Sequence, residues 1–171
     1  KIARLGISRS FQITSLFPKM TVFENLRNAV VSKLNHRFNW TILLNRSREV
    51  RRECERVIDS LRLTSVRDVP ACELSYGWQR RLELALTLAL DPVVLLLDEP
   101  TAGIDVKETR SFVDFMKETT EGKTLVMVEH DMDVVFDIAD RVTVLNNGKV
   151  LVTGTHHEIR ENEEVQKAYA G

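Results

Sequence analysis

Apolar residues are arranged in two ways along this chain, and the change between them divides it. From Glu49 to Leu61, Val50, Cys54, Val57, Ile58 and Leu61 fall on one face with charges between them, the period of an amphipathic helix. Thr21 followed three places later by Glu24 has the form of a capping box, which predicts a helix from there to about Val31. Ser75 and Gly77 introduce another that runs through Leu90. Beyond residue 91 the apolar residues form short unbroken runs instead. Val93 to Leu97 and Thr124 to Val128 predict strands, with helices from Val106 to about Thr120 and from Asp131 to Ala139, the alternation expected of a parallel sheet covered on its faces. Val142 to Leu145 and Lys149 to Val152 flank Asn146-Asn147-Gly148, where Asn-Gly supplies the positive φ angles of a tight hairpin, so an antiparallel pair is expected to finish the sheet. Glu163 to Ala170 reads as a terminal helix, and residues 1 to 11 as an extended entry. Residues 33 to 47 show no sustained period and read as an insertion or loop with a short helix.

At 171 residues the chain is one domain or most of one. Its 43% hydrophobic and 29% charged residues are ordinary for a globular protein and exclude a disordered or collagen-like design. No stretch approaches the roughly 20 apolar residues of a membrane helix, so a membrane role has to come through a partner. Twenty-four basic against 25 acidic residues give a net charge of −1 and no global field for nucleic acid. The local cluster Arg46, Arg48, Arg51 and Arg52 reads as the solvated face of a helix. Cys54 and Cys72 are too far apart for a C-x-x-C pair and read as small apolar residues of a reducing compartment. No signal peptide is visible.

The densest chemistry lies in Leu97-Asp98-Glu99-Pro100-Thr101-Ala102, directly after the apolar run Val93 to Leu96. A carboxylate pair closing a strand that is apolar on both faces needs a partner or an ion, which points to a metal–phosphate site. Acids also close strands merely by turning into solvent, so the company they keep decides. Leu74-Ser75-Tyr76-Gly77-Trp78-Gln79 lies upstream, Gly103-Ile104-Asp105 follows at once, and the next strand ends in Glu129-His130-Asp131. In order and spacing these segments resemble the signature, Walker B, D-loop and switch histidine of an ATP-binding-cassette ATPase, and Phe11-Gln12 resembles its glutamine loop. The resemblance covers essentially the whole chain. It implies an α/β fold, a P-loop NTPase-like cassette with a parallel sheet core, a helical subdomain and a C-terminal antiparallel hairpin. Residues 21–90 would form the helical subdomain, 91–154 the catalytic core and 155–171 a helical tail. None of the seven glycines builds the G-x-x-x-x-G-K-[ST] loop that cradles nucleotide phosphates. The chain therefore reads as the C-terminal two-thirds of a cassette, a fragment expected to be inactive alone.

The resemblance implies ATP and Mg²⁺ as cofactors and assigns roles. Asp98 would hold Mg²⁺, directly or through water, and Glu99 would polarise the attacking water as general base. Gln12 would contact Mg²⁺ or that water, and His130 would donate a hydrogen bond to the γ phosphate. A histidine at a strand end is usually structural, as His36, His156 and His157 are read, and only its place in the motif series sets His130 apart. Ser75, Tyr76, Gly77 and Gln79, at a helix start where free amides and a positive dipole favour anions, would grip the γ phosphate of ATP held by an opposite subunit. Locally, a serine N-cap with a turn glycine suits the same residues. The implied assembly is a head-to-tail pair of cassettes, with Asp105 acting across the interface and Leu16, Phe17 and Pro18 touching a membrane partner. Trp78 and Leu86 depart from the family pattern, which usually has glycine, glutamate or glutamine at the first and arginine at the second.

Within the family, Gly6-Ile7-Ser8-Arg9-Ser10-Phe11-Gln12, the insertion at 33 to 47, Gln79-Arg80-Arg81-Leu82-Glu83 and the ending Glu158-Ile159-Arg160 to Ala168-Tyr169-Ala170-Gly171 look most like the ATPases of bacterial and archaeal branched-chain amino acid importers. The partners so implied are a second ATPase subunit, transmembrane permease subunits and, indirectly, a solute-binding protein, at the cytoplasmic face of the membrane, with no nucleic acid. Urea or amide importers and lipopolysaccharide exporters share much of the pattern. A different class remains open as well, a non-catalytic cassette that serves as an interaction module. A soluble cassette of DNA repair or translation is disfavoured by the lack of a coiled-coil insertion, a second cassette or basic arms.

Overall fold

The computed structural model describes residues 6–9, 16–33 and 48–170, which divide into two compact units, 1–128 and 129–171. The first unit holds a parallel sheet of three strands in the order β1 (Ile7–Arg9), β2 (Val94–Asp98), β3 (Thr124–Val128). Its helices are α1 (Val22–Lys33), α2 (Arg48–Ser60), α3 (Tyr76–Leu88) and α4 (Val106–Thr120). α4 carries the chain from β2 to β3, the long crossover that a parallel pair requires.

Each helix follows from its sequence pattern. Thr21 and Glu24 form the expected capping box: the Glu24 carboxylate accepts the Thr21 amide at 2.9 Å and the Thr21 hydroxyl accepts the Glu24 amide at 3.2 Å. The apolar stripe of α2 buries Val50, Cys54, Val57 and Ile58, while Arg48, Arg51 and Arg52 stay in solvent as the pattern predicts. Burial pushes the Cys54 thiol up to about 11, so it is an inert core group. Cys72 is instead exposed, because the single turn Ala71–Glu73 turns only Ala71 inward. α1, α2 and α3 close on Val22, Leu26, Val30, Ile58, Leu63 and Leu82, all fully buried. Phe112 and Met116 of α4 and Leu95 of β2 are buried as well. One buried polar residue, Asn25, ties the preceding loop to α1: its Oδ1 accepts the Phe17 amide at 2.9 Å, and its Nδ2 donates to the carbonyls of Phe17, Met20 and Thr21 at 3.0–3.2 Å. Phe17 and Pro18 are thereby held on the surface. Residues 34–47, Phe11, Gln12, His36 and Arg46 lie outside the described residues.

The second unit contains α5 (Met132–Ile138), the hairpin β4 (Val142–Asn146) and β5 (Lys149–Gly154), α6 (His156–Glu161) and α7 (Glu163–Ala170). Asn147 and Gly148 take φ of 49° and 74°, the left-handed pair that a two-residue turn demands. The hairpin corrects one expectation. Among the described residues it is a two-stranded sheet of its own, β4 paired with β5, and does not complete the parallel one. α6 forms because Thr155 and Glu158 make a second capping box, a T-x-x-E signal present in the sequence that the expected terminal helix from Glu163 did not use. Val134, Val135, Val142, Val144, Ile159 and Val165 are buried here. The ring of His156 stacks on Phe136 at 4.0 Å, a structural role, as read.

α1 and α2 are joined by a partly buried ion cluster. Glu53 accepts two hydrogen bonds from Arg56, at 2.8 and 2.9 Å, and one from Lys33 at 2.9 Å. The Arg56 hydrogen bonds, aided by Lys33 and opposed by burial, pull Glu53 down from 4.5 to about 2. A depressed carboxylate contributes stability that is complete above its unfolded value and lost as pH falls towards its folded one. The thermal midpoint should therefore decline between pH 4.5 and about 2, and Glu53→Gln should cost roughly 1–2 kcal/mol near neutrality while flattening that decline. Parallel pH profiles for the two proteins would contradict the assignment.

Candidate functional site

The end of β2 is set by the ladder. Asp98 pairs in register with Val128, and the ladder continues one residue beyond the strand, where the Glu99 amide donates to the Val128 carbonyl at 2.9 Å. To turn out of the strand while keeping that bond, Glu99 takes φ +44°, a left-handed backbone that a residue with a Cβ occupies only under strain. The chain then folds over the buried Pro100 and Thr101, with Ala102 N donating to Glu99 O and Ile104 N to Thr101 O, both at 3.1 Å. The Asp98 carboxylate is about one-third exposed and lies 3.6 Å from Arg9 Nη2 at the end of β1.

The start of α3 is fastened to this turn. Tyr76 donates its hydroxyl to the Ala102 carbonyl at 3.3 Å and lays its ring on Gly103, where an added Cβ would meet Cε1 at 3.1 Å and where φ is +78°. Ser75 caps α3 by accepting the Trp78 amide at 3.4 Å and donates to Glu108 Oε1 of α4 at 3.1 Å. Gly77 is buried against the same carboxylate, and a Cβ there would fall 2.5 Å from Glu108 Oε2. Gln79 Nε2 donates to the Leu74 carbonyl at 3.1 Å. The Trp78 indole is half-buried under the Arg81 guanidinium, 4.8 Å from its centroid, so it packs along the helix side. Asp105 caps α4 by accepting the Lys107 amide at 2.9 Å, with its residue exposed.

Farther along α3, Arg80 Nη1 donates to Glu83 at 2.9 Å beside a cavity of about 20 Å³ lined also by Leu84, Leu97, Asp98, Pro100 and Phe112. Burial raises Glu83 above the usual carboxylate range against the pull of Arg80. Arg80 and Glu83 entered the sequence reading only within the segment Gln79 to Glu83, and Glu108 not at all, since a charge within a helix gives no signal of where it points.

His130 belongs to the second unit. Its ring is exposed, and Nδ1 lies 3.8 Å from Oε2 of Glu129, whose side chain is fully buried and accepts the His130 amide at 3.1 Å. Asp131 caps α5 through the amides of Asp133 and Val134. Of the predicted site residues, the structure thus brings Ser75, Tyr76, Gly77 and Gln79 onto the start of α3 beside the loop of Ala102 and Gly103. Asp98 and Glu99 end β2, Asp105 caps the next helix, and Gln12 lies outside the described residues.

The profile of the ABC transporter family matches residues 1–102, more than half of the chain. The chain belongs to that family. Across all of this ABC protein, 39% of positions are identical to BraF, the high-affinity branched-chain amino acid transport ATP-binding protein of Pseudomonas aeruginosa, of which 70% is covered. LivG of Escherichia coli, of the same description, is 37% identical over 100% of the chain and 70% of its own length. Among solved structures, the ATP-binding cassette MJ1267 superposes with a TM-score of 0.81 at 26% identity, over 99% of this chain and 70% of that one. A structure of the same cassette in its ADP conformation gives 0.79 at 25% identity with the same coverage. As an ABC ATP-binding protein the chain is of a nucleotide-binding, ATP-hydrolysing class whose members serve transport complexes. No helix among the described residues is long and apolar enough to cross a membrane.

The left-handed Glu99 gives a test that needs no nucleotide. Glu99→Gly should be more stable than Glu99→Ala by about 1 kcal/mol, because both lose the carboxylate and only alanine keeps the Cβ that strains this backbone. Thermal melts of the two variants measure it, and an alanine variant as stable as the glycine one would deny the strain.

Proposed function

We propose that this chain is the hydrolytic part of an ABC importer ATPase, acting as a head-to-tail pair beneath two permease subunits at the cytoplasmic face of the membrane. The solute class we propose is branched-chain amino acids or a similar small molecule; its support is the function named for BraF and LivG. The observation that carries the hydrolytic assignment is the forced turn at Glu99, directly after Asp98. Strain of that kind is maintained where a side chain has to be aimed.

The donor set suits Mg²⁺. Among the described residues no group of three His, Cys, Asp or Glu forms a protein cage for a metal, and Mg²⁺ asks for one or two carboxylates, with phosphate and water supplying the rest. The partly exposed Asp98 would be that carboxylate, and Mg²⁺, when bound, neutralises charge on the phosphates. Glu99 would orient the attacking water and take its proton. His130, exposed on its own unit, would donate to the terminal phosphate, and Gln12 would complete the contact with metal or water. Ser75 and Gly77 would meet the terminal phosphate of the partner's ATP at the start of α3, with Tyr76 and Gln79 holding that helix end and Asp105 facing the partner. The surface loop of Phe17 and Pro18, held by Asn25, would contact the permease, and a solute-binding protein would deliver cargo outside.

The test uses the full-length subunit reconstituted with its permease. Glu99→Gln should keep ATP binding and lose about 10²–10⁴-fold in hydrolysis, with transport lost in parallel. Intact transport in that variant would refute the assignment.

A further inference from the structure

The hydroxyl of Ser75 has two contacts inside its own chain, and the second bears on how the proposed site is regulated. It accepts the Trp78 amide, as an N-cap does, and it gives its only proton to Glu108 Oε1 at 3.1 Å. The other carboxylate oxygen of Glu108 occupies the space that a side chain on Gly77 would need, 2.5 Å from an ideal Cβ. Glu108 is brought there by the first turn of α4, where its amide bonds the carbonyl of the cap Asp105 at 2.8 Å. An acidic oxygen thus sits on the same serine and against the same glycine that the proposed function assigns to the partner's terminal phosphate.

One hydroxyl proton cannot serve two anions. We propose that Glu108 is an internal competitor of the signature site: in the unpaired subunit its carboxylate holds the Ser75 proton, and the partner's phosphate has to displace it. The inference rests on the reading of Ser75 and Gly77 given under the proposed function and adds the residue that sets the threshold for pairing. Two features fit a competitor better than a simple brace between helices. The contact is made by the charge-bearing end of Glu108 and is exposed at the Ser75 side, so an incoming anion reaches it. Release also leaves the carboxylate near a cation, for the charge of Glu108 is felt at Arg81, whose guanidinium is anchored to α4 through the Ser111 carbonyl at 2.9 Å. The glycine gains a second meaning as well. In the unpaired chain a Cβ at Gly77 would push aside the carboxylate end of Glu108, before any phosphate approaches.

The test is ATP-dependent pairing of the full-length subunit in a Glu99→Gln background, followed by analytical ultracentrifugation as ATP is titrated. Glu108→Gln keeps the shape and an acceptor oxygen but removes the charge, so pairing should occur at roughly tenfold lower subunit concentration, the size of one charge-assisted hydrogen bond no longer opposed. Pairing that is unchanged or weaker overturns the proposal and leaves Glu108 a brace. Ser75→Ala separates the two levels of the argument. If Ser75→Ala pairs poorly and Glu108→Gln pairs like its parent, the reading of the signature site stands and the competitor fails; if Ser75→Ala pairs normally, the reading of Ser75 fails and the competitor with it. A nucleotide-free check addresses the seating itself: Gly77→Ala should lower the thermal midpoint, and adding Glu108→Ala should restore most of the loss. No restoration would mean that Glu108 does not fill the space at Gly77.

Discussion

The parallel pairing of β2 with β3 is the constraint on which the site depends. Because Asp98 and Val128 are register partners and the Glu99 amide is bound by the Val128 carbonyl, the strand cannot end by drifting into solvent. It has to turn at a fixed residue with its backbone in the left-handed region. The turn places Pro100 and Thr101 inward and sends Ala102 and Gly103 past the start of α3. A shift of one residue in this register would exchange which side chains face the helices, so the buried Leu95 and Leu97 and the position of Asp98 are specified together. Packing and chemistry here have the same cause.

The second consequence is that two segments far apart in sequence are fastened into one body. Tyr76 meets Ala102 and Gly103, Ser75 meets Glu108, and Arg81 bonds both the carbonyl and the hydroxyl of Ser111. These contacts join the first two turns of α3 to the loop after β2 and to α4. The start of α3 is thus in direct contact with the loop that follows Glu99.

Periodicity made most of this fold legible. The spans of α4 and β3 follow from uninterrupted apolar patterning between clear caps, and the Asn-Gly turn required its hairpin. The family was legible because the order of its motif segments is specific. What escaped has a common physical origin. The hairpin was assigned to the main sheet because strand pattern says which face is buried and nothing about which edge is paired. Glu108 lies in a helix's first turn, where an acid also suits the helix dipole, and only tertiary placement shows it on Ser75. Gly77 was read for its approach to phosphate, and in its own chain it lies against the carboxylate of Glu108, which the sequence could not show. Asn25 gave no signal at all, since a polar residue within an apolar stripe is recognised as a knot only when the carbonyls it satisfies are seen.

The neighbourhood of Asp98 poses a last question, whether Arg9 ties up the carboxylate that a dication would need. The two side chains are 57% and 36% exposed and 3.6 Å apart. An ion pair so hydrated is worth about 0–1 kcal/mol, because water screens the attraction and both side chains lose freedom to make it. A dication shared with phosphate oxygens would offer a carboxylate a stronger interaction than that, since its charge is double. Arg9 therefore holds Asp98 in place without binding it out of reach, and the contrast with Glu53 makes the point. There, three hydrogen bonds in a more enclosed setting carry the carboxylate down to about 2 and commit it to structure. A carboxylate proposed to meet a cation has to be the weakly committed one, and Asp98, partly exposed at the end of β2, is so held.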